Sequence, residues 1–272
     1  MYLFTFLVDI GRYSENNMKD VLNILISSLD FFVKKYTLII FTNIELIIKN
    51  NKIIIRKYYD NCEKNYGNNK WLNLSFNKIN IYKDLYDEFK INFTWIDLDT
   101  IIVNDISYLD DLSNFFIENG GSNETPNIIF NNDSTITVPR KNYIQGNMWK
   151  LNIELYNNLI SCFKILKEKK LNLRYDLQDL FNYYIHVLNN KNNINIIGYN
   201  YKINTINGLC VWSNDGIGHA TMSGLKNLYF ENNILKSKYY SDKEVHILSF
   251  TFYTLIKLYN TDEFKNIFYM IN

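Results

Sequence analysis

Apolar and polar positions along the chain alternate between two rhythms. Tyr2 to Asp9, Thr37 to Thr42 and Lys52 to Arg56 are short, nearly unbroken apolar runs, the pattern of strands buried on both faces. Between the first two, Met18, Leu22, Leu25, Leu29, Phe32 and Val33 recur at helical spacing, and Asn17 followed by Asp20 supplies a start signal. Lys70 to Phe89 reads as a second helix, with Trp71, Leu74, Ile79 and Leu85 among its apolar positions. Phe93 to Val103 then reads as one strand carrying two carboxylates, Asp97 and Asp99. This strand-helix-strand order predicts an α/β domain with a mostly parallel sheet flanked by helices. In such sheets ligands bind beyond the carboxyl ends of the strands. Asp9, Asn43, Asp97 and Asp99 all fall near such ends.

The second half is less regular. Ile128 to Phe130 and Thr135 to Val138 predict an antiparallel pair around Asn131–Asp133. Trp149 to Lys169 and Asp176 to Leu188 read as helices, and the turn Gln145-Gly-Asn-Met-Trp149 precedes the first of them. Ile194 to Ile197, Leu209 to Trp212 and Val245 to Phe250 are short apolar runs, and Ser213 to Gly224 is a loop of small residues. A last helix spans roughly Thr254 to Met270, broken near Asn260. Neither a repeat nor a Pro/Gly/Ser linker divides the chain, so one domain over residues 1–272 is expected.

Composition removes several classes of function. A net charge of +1 with scattered lysines gives no electrostatic footprint for nucleic acid. No run of about 20 apolar residues predicts a membrane span. The start, Met1 to Val8, lacks a basic leader and reads as a strand, not a signal peptide. Cys62, Cys162 and Cys210 are odd in number and widely spaced, which suggests a reducing compartment; a cytoplasmic location is the expectation.

The chemistry concentrates at Asp97 and Asp99. On a strand, Trp95, Asp97 and Asp99 share one face, with the two carboxylates about 6–7 Å apart. Like charges at a buried strand end are costly unless neutralised. A divalent cation carrying a diphosphate does that, and carboxylate oxygens suit Mg²⁺ or Mn²⁺. The alternative, a strand-end turn whose carboxylates cap local N–H groups, accounts for one Asp better than for two. Tyr13 and Trp71 are aromatics near strand ends, able to stack on a nucleobase or simply to pack. His186 and His246 lie in apolar segments and read as packing residues, whereas His219 sits in a Gly-flanked loop within reach of a ligand. On a helical wheel Leu177, Leu180, Phe181, Tyr184 and Leu188 form an apolar stripe, with Asp176 and Asp179 on the opposite side. That pair is either a plain helix start or a substrate-facing one.

The order Asp97-Leu-Asp99, then Gln145-Gly-Asn147, then Asp176-Leu-Gln178-Asp179, then Gly218-His219 with Gly224-Leu-Lys226 resembles the retaining glycosyltransferases of the GT-A fold that include glycogenin and the lipopolysaccharide galactosyltransferases. The late segment is spaced differently and lacks that family's Pro-Trp pair. The resemblance implies a GT-A, Rossmann-type fold with a nucleotide-binding half over about residues 1–105 and a smaller mixed sugar and acceptor half over 106–272. It implies Asp97, Asp99 and His219 as ligands of Mn²⁺ or Mg²⁺. Asp9, Tyr13, Trp71, Lys78, Asp97, Gly146, Asn147 and Lys226 are then the donor-binding residues, and Asp176, Gln178 and Asp179 the catalytic ones. The implied activity is transfer of a hexose from a nucleoside-diphosphate sugar, UDP-hexose foremost, to a glycan, protein or small-molecule hydroxyl. Three rivals compete. A haloacid-dehalogenase-like phosphohydrolase would use Asp97 as nucleophile, but its Thr would stand one position later than Thr100. A sugar-nucleotide pyrophosphorylase would need a Gly-rich basic loop where Asp9 to Ser14 has one Gly and one Arg. A non-catalytic carbohydrate-binding protein would bind without turnover.

Overall fold

The computed structural model describes residues 1–60, 69–118, 127–129, 135–137, 144–168, 177–190, 192–197, 205–206, 210–212, 228–232, 234–238, 243–250, 252–259, 261–267 and 269. Strand β1 (Tyr2–Leu7) leads through helix α1 (Glu15–Phe32) to β2 (Thr37–Thr42) and β3 (Ile53–Lys57). Helix α2 (Lys70–Phe89) precedes β4 (Thr94–Ile96) and β5 (Thr100–Ile102). Next come β6 (Phe115–Glu118), β7 (Asn127–Ile129), β8 (Thr135–Thr137) and β9 (Ile144–Lys150). Helices α3 (Ile153–Glu168) and α4 (Leu177–Asn182) follow, the latter running into a π turn over Tyr183–Val187. Strands β10 (Ile196–Ile197), β11 (Thr205–Ile206), β12 (Cys210–Trp212), β13 (Leu228–Glu231), β14 (Ile234–Ser237), β15 (Lys243–Glu244) and β16 (Ile247–Ser249) lead to α5 (Phe252–Tyr259) and α6 (Asp262–Ile267).

Among the described residues the central sheet has eight strands in the order β11-β10-β6-β9-β4-β1-β2-β3. Its pairings are parallel except those of β9, which runs antiparallel to both β4 and β6. Strands β1 and β2 are apolar on both faces because both faces are covered. Phe4, Phe6, Ile39 and Phe41 pack with residues of α2, α3 and α4, while Leu3, Leu7, Leu38 and Ile40 pack with residues of α1. The fold is therefore α/β, a mostly parallel sheet flanked by helices. Smaller sheets join it: β12-β16-β5, the antiparallel β13-β14-β15, and the β7-β8 pair. No helix among the described residues is long and apolar enough to cross a membrane.

Three expectations are corrected. The apolar run Phe93 to Val103 is two strands, because the chain turns at Asp97–Thr100, where the Thr100 N–H donates to the Asp97 carbonyl at 3.2 Å. Beyond the turn β5 leaves the main sheet and pairs with β16. Gln145 to Trp149 is the body of β9, not a turn before a helix, and α3 starts only at Ile153. The α1 cap is Ser14, whose hydroxyl accepts from the Asn17 N–H at 3.2 Å, three residues before the expected Asn17.

One polar clamp fastens α4 to β9. The buried Asn182 side chain accepts from the Ile144 N–H at 2.8 Å and donates to the Ile144 carbonyl at 2.9 Å and the Gln178 carbonyl at 2.8 Å. Cutting this side chain back strands two buried backbone groups of β9. Asn182→Ala is expected to lower unfolding free energy by about 2–4 kcal/mol, measured by urea denaturation.

Candidate functional site

A cavity of about 530 Å³ lies beyond the carboxyl ends of β1 and β4, within the ~300–1,000 Å³ usual for small-ligand sites. Each element delivers its residues with its own period. Helix α2 contributes Trp71, Leu74, Ser75 and Lys78, one face at helical spacing. Strand β9 contributes the alternate residues Gln145 and Asn147, and α4 contributes Gln178. Arg12 and Tyr13 come from the loop after β1, and Phe250 and Phe252 from the end of the smaller sheet and the start of α5.

Asp97 and Asp99 line this cavity, both carried on the corner between the two sheets. Strand alternation therefore does not set their directions, and the turn does. The main sheet holds the front of the corner, with the Asp97 N–H donating to the Asn147 carbonyl at 2.6 Å. The smaller sheet holds its back, with the Phe250 N–H donating to the Asp99 carbonyl at 3.0 Å.

The two carboxylates have different surroundings. Asp97 Oδ1 accepts from Lys78 Nζ at 2.8 Å and from Trp95 Nε1 at 2.9 Å. The same ammonium lies 4.4 Å from the centre of the Trp95 ring, adding a cation–π contact. Asp99 makes no ion pair among the described residues. Its burial, and next the Asp97 charge, push its carboxyl well above the ordinary carboxylate range, against the opposing pull of its own backbone N–H, then of Lys78 and the Phe252 N–H. The donors here are hard oxygens, suited to Mg²⁺ or Mn²⁺. Among the described residues no group of three His, Cys, Asp or Glu side chains is placed to hold a metal. Two carboxylates with substrate phosphates are a usual arrangement for Mg²⁺.

Of the residues expected from the sequence, Tyr13, Trp71, Lys78, Asp97, Asp99, Asn147 and Gln178 meet in the cavity. Tyr13 stacks on Phe252, ring centres 4.1 Å apart, while Trp71 stays 42% exposed. Asp9 does not join them. Its Oδ1 accepts from the Gly11 N–H at 2.7 Å, and its backbone exchanges two hydrogen bonds with the Asn43 side chain, so it shapes the loop after β1. Gly11 takes a φ of 83°, the left-handed region that favours glycine in this turn. Gly146 lies outside the lining; its N–H donates to Gln178 Oε1 at 2.9 Å, and a β-carbon there would come within 3.3 Å of that oxygen. Asp179 is fully buried and outside the lining, not on an exposed polar side of the helix, because four of its five α4 companions are buried as well. Leu188, expected in the apolar stripe, is exposed beyond the π turn. Asp176, His219 and Lys226 lie outside the described residues. His246 is buried as a packing residue, with Nε2 3.5 Å from Glu244 and its ring edge-on to Tyr108.

Sequence reasoning passed over Arg12, Gln145 and the two roles of Trp95. Arg12 carries a usable signal, a basic residue in the first loop after β1, where α/β sheets bind their ligands. Trp95 carries part of one, since strand alternation puts it on the face of Asp97 but gives no hint of where its indole N–H points.

Comparison with known proteins adds no family: no protein-family model matches the chain, and no curated protein matches it.

A carboxyl whose value is raised on folding binds its proton more tightly in the folded state. Asp99 therefore adds stability as pH falls toward the unfolded value of about 3.9, and subtracts it at higher pH. With no divalent cation present, Asp99→Asn is expected to melt above the wild-type protein at neutral and alkaline pH. The gap is expected to close as pH falls, read from paired thermal melts across a pH series.

Proposed function

We propose that this chain is a metal-dependent glycosyltransferase of the GT-A type that moves a hexose from a nucleoside-diphosphate sugar, UDP-hexose foremost, to a hydroxyl acceptor. The observation that carries the reading is the corner that brings Asp97 and Asp99 into one cavity at the carboxyl ends of β1 and β4, with Lys78 beside them.

In this reading Asp97 and Asp99 would hold Mn²⁺ or Mg²⁺. When bound, the cation offsets the charge that builds on the departing diphosphate. The rest is work for the chain's own side chains. Lys78 and Arg12 offer cations to phosphate oxygens, Trp71 offers an exposed indole for a base to stack on, and the amides of Gln145, Asn147 and Gln178 offer donors and acceptors to sugar hydroxyls. Gln178 is held by the Gly146 N–H, so it is positioned before a ligand arrives. The carboxylate Asp179 leaves the substrate-facing set. Retention, which the resemblance implies, is the stereochemical expectation.

The test is turnover. With Mn²⁺ and a panel of nucleotide sugars, the wild-type protein is expected to release a free nucleoside diphosphate, and chelator is expected to stop it. Asp99→Asn is expected to keep its fold and lose at least ~10²-fold in turnover, the scale of losing one electrostatic contribution. Inorganic phosphate released from simple esters, with no nucleotide sugar consumed, would replace this reading by the phosphohydrolase one. Metal-dependent sugar-nucleotide binding without any turnover would leave a binding protein.

UDP with Mn²⁺ at 100-fold its Kd is expected to stabilise the fold by about 2.7 kcal/mol. UDP with chelator is expected to do much less, a contrast that differential scanning calorimetry reads directly.

A further inference from the structure

The Lys78 side chain is only 17% exposed, and its ammonium is committed before any ligand arrives, paired with Asp97 at 2.8 Å and seated over Trp95. Trp95 Nε1 donates to the same oxygen at 2.9 Å. Among the described residues the cavity lining carries two acids, Asp97 and Asp99, and two cations, Lys78 and Arg12, so it is formally neutral. A bare dication entering here meets an ammonium already bonded to one of its two carboxylates. It must either displace that ammonium or sit close to it, in a partly buried place where like charges are weakly screened.

We propose that Lys78 is a built-in counter-ion that keeps free divalent cations out of the Asp97–Asp99 pocket until a polyanion of the diphosphate class draws its ammonium away. The proposal rests on the preceding reading of the two acids as the metal holders, and adds a loading rule to it. A diphosphate brings negative charge for Lys78 to follow, which frees Asp97 Oδ1 for the cation. Cation and polyanion then bind with positive coupling, and by linkage each tightens the other by the same factor. The pocket thereby selects a metal–diphosphate complex over either component alone, and ignores the cation pool when no diphosphate is present. Lys78 in this role is a positioning residue, acting through Asp97.

Mn²⁺ binding, followed by loss of the free-ion paramagnetic resonance signal, tests this without any turnover. Wild type, Lys78→Met, Lys78→Gln and Asp97→Asn are each titrated with Mn²⁺ alone and with Mn²⁺ plus UDP, after melts confirm folding. Wild type is expected to bind Mn²⁺ alone weakly and to tighten at least ~10-fold with UDP, within the usual range of such coupling. Either lysine variant is expected to bind Mn²⁺ alone at least ~10-fold more tightly than wild type and to lose most of the gain from UDP. Asp97→Asn is expected to bind Mn²⁺ poorly in both conditions. If both folded lysine variants bind Mn²⁺ alone no better than wild type, while UDP still tightens wild type, the counter-ion role is overturned and the metal site stands. If wild type takes up no Mn²⁺ even with UDP, the metal reading itself falls, and this proposal falls with it.

Discussion

The site depends on one turn held from both sides. The chain reaches the end of β4, reverses at Asp97–Thr100 and departs into a different sheet. A backbone hydrogen bond from each sheet fixes the turn, Asn147 in front and Phe250 behind. The two carboxylates therefore do not share a cavity by the alternation of a strand. They share it because two sheets meet there. Moving either sheet relative to the other would move an acid, so the packing of Ile101, Val103, Leu248 and Phe250 on one side and of Trp95 and Trp149 on the other bears on the geometry of the site.

Such a corner is not an energetic optimum for the ligand-free protein. Asp99 is held where its charged form is disfavoured, and the Asp97 Oδ1 accepts from an ammonium and an indole N–H. Local unfavourability of this kind persists when the surroundings are well packed. Here the aromatic cluster of Phe4, Phe6, Trp95 and Trp149 supplies rigid contacts directly beneath the cavity, with ring centres 4.8–6.5 Å apart. Stability is thus invested beside the site, and the disfavoured charge remains available for a ligand to neutralise.

How much of this was legible in the sequence varies by element. Helix α2 shows its bounds at Lys70 and Phe89, and β2 at Thr37 and Thr42, because an uninterrupted period fixes each. The antiparallel pair β7-β8 was readable from its turn residues, and the break in the last helix near Asn260 from the polar interruption. The break inside Phe93 to Val103 was not, because both halves are apolar and the chain changes sheets without a Gly or Pro to mark it. Strand β9 was hidden for a related reason. A central strand buried on both faces has no alternation, and Gly146 imitates a turn. The acid pair and Lys78 were readable as chemistry, but the ion pair between them was not, since it depends on how α2 lies over β4. Asp179 misled for the opposite reason, because a wheel assigns faces to an isolated helix whereas α4 is covered nearly all round.

Crystals grown with Mn²⁺ and UDP offer the most direct test of the central claim, through anomalous scattering from the metal. The account predicts one Mn²⁺ peak about 2.1 Å from oxygens of both Asp97 and Asp99. It also predicts that the diphosphate bridges that ion within the cavity beneath Trp71. A nucleotide seated elsewhere, or an ion that touches neither carboxylate, would contradict it.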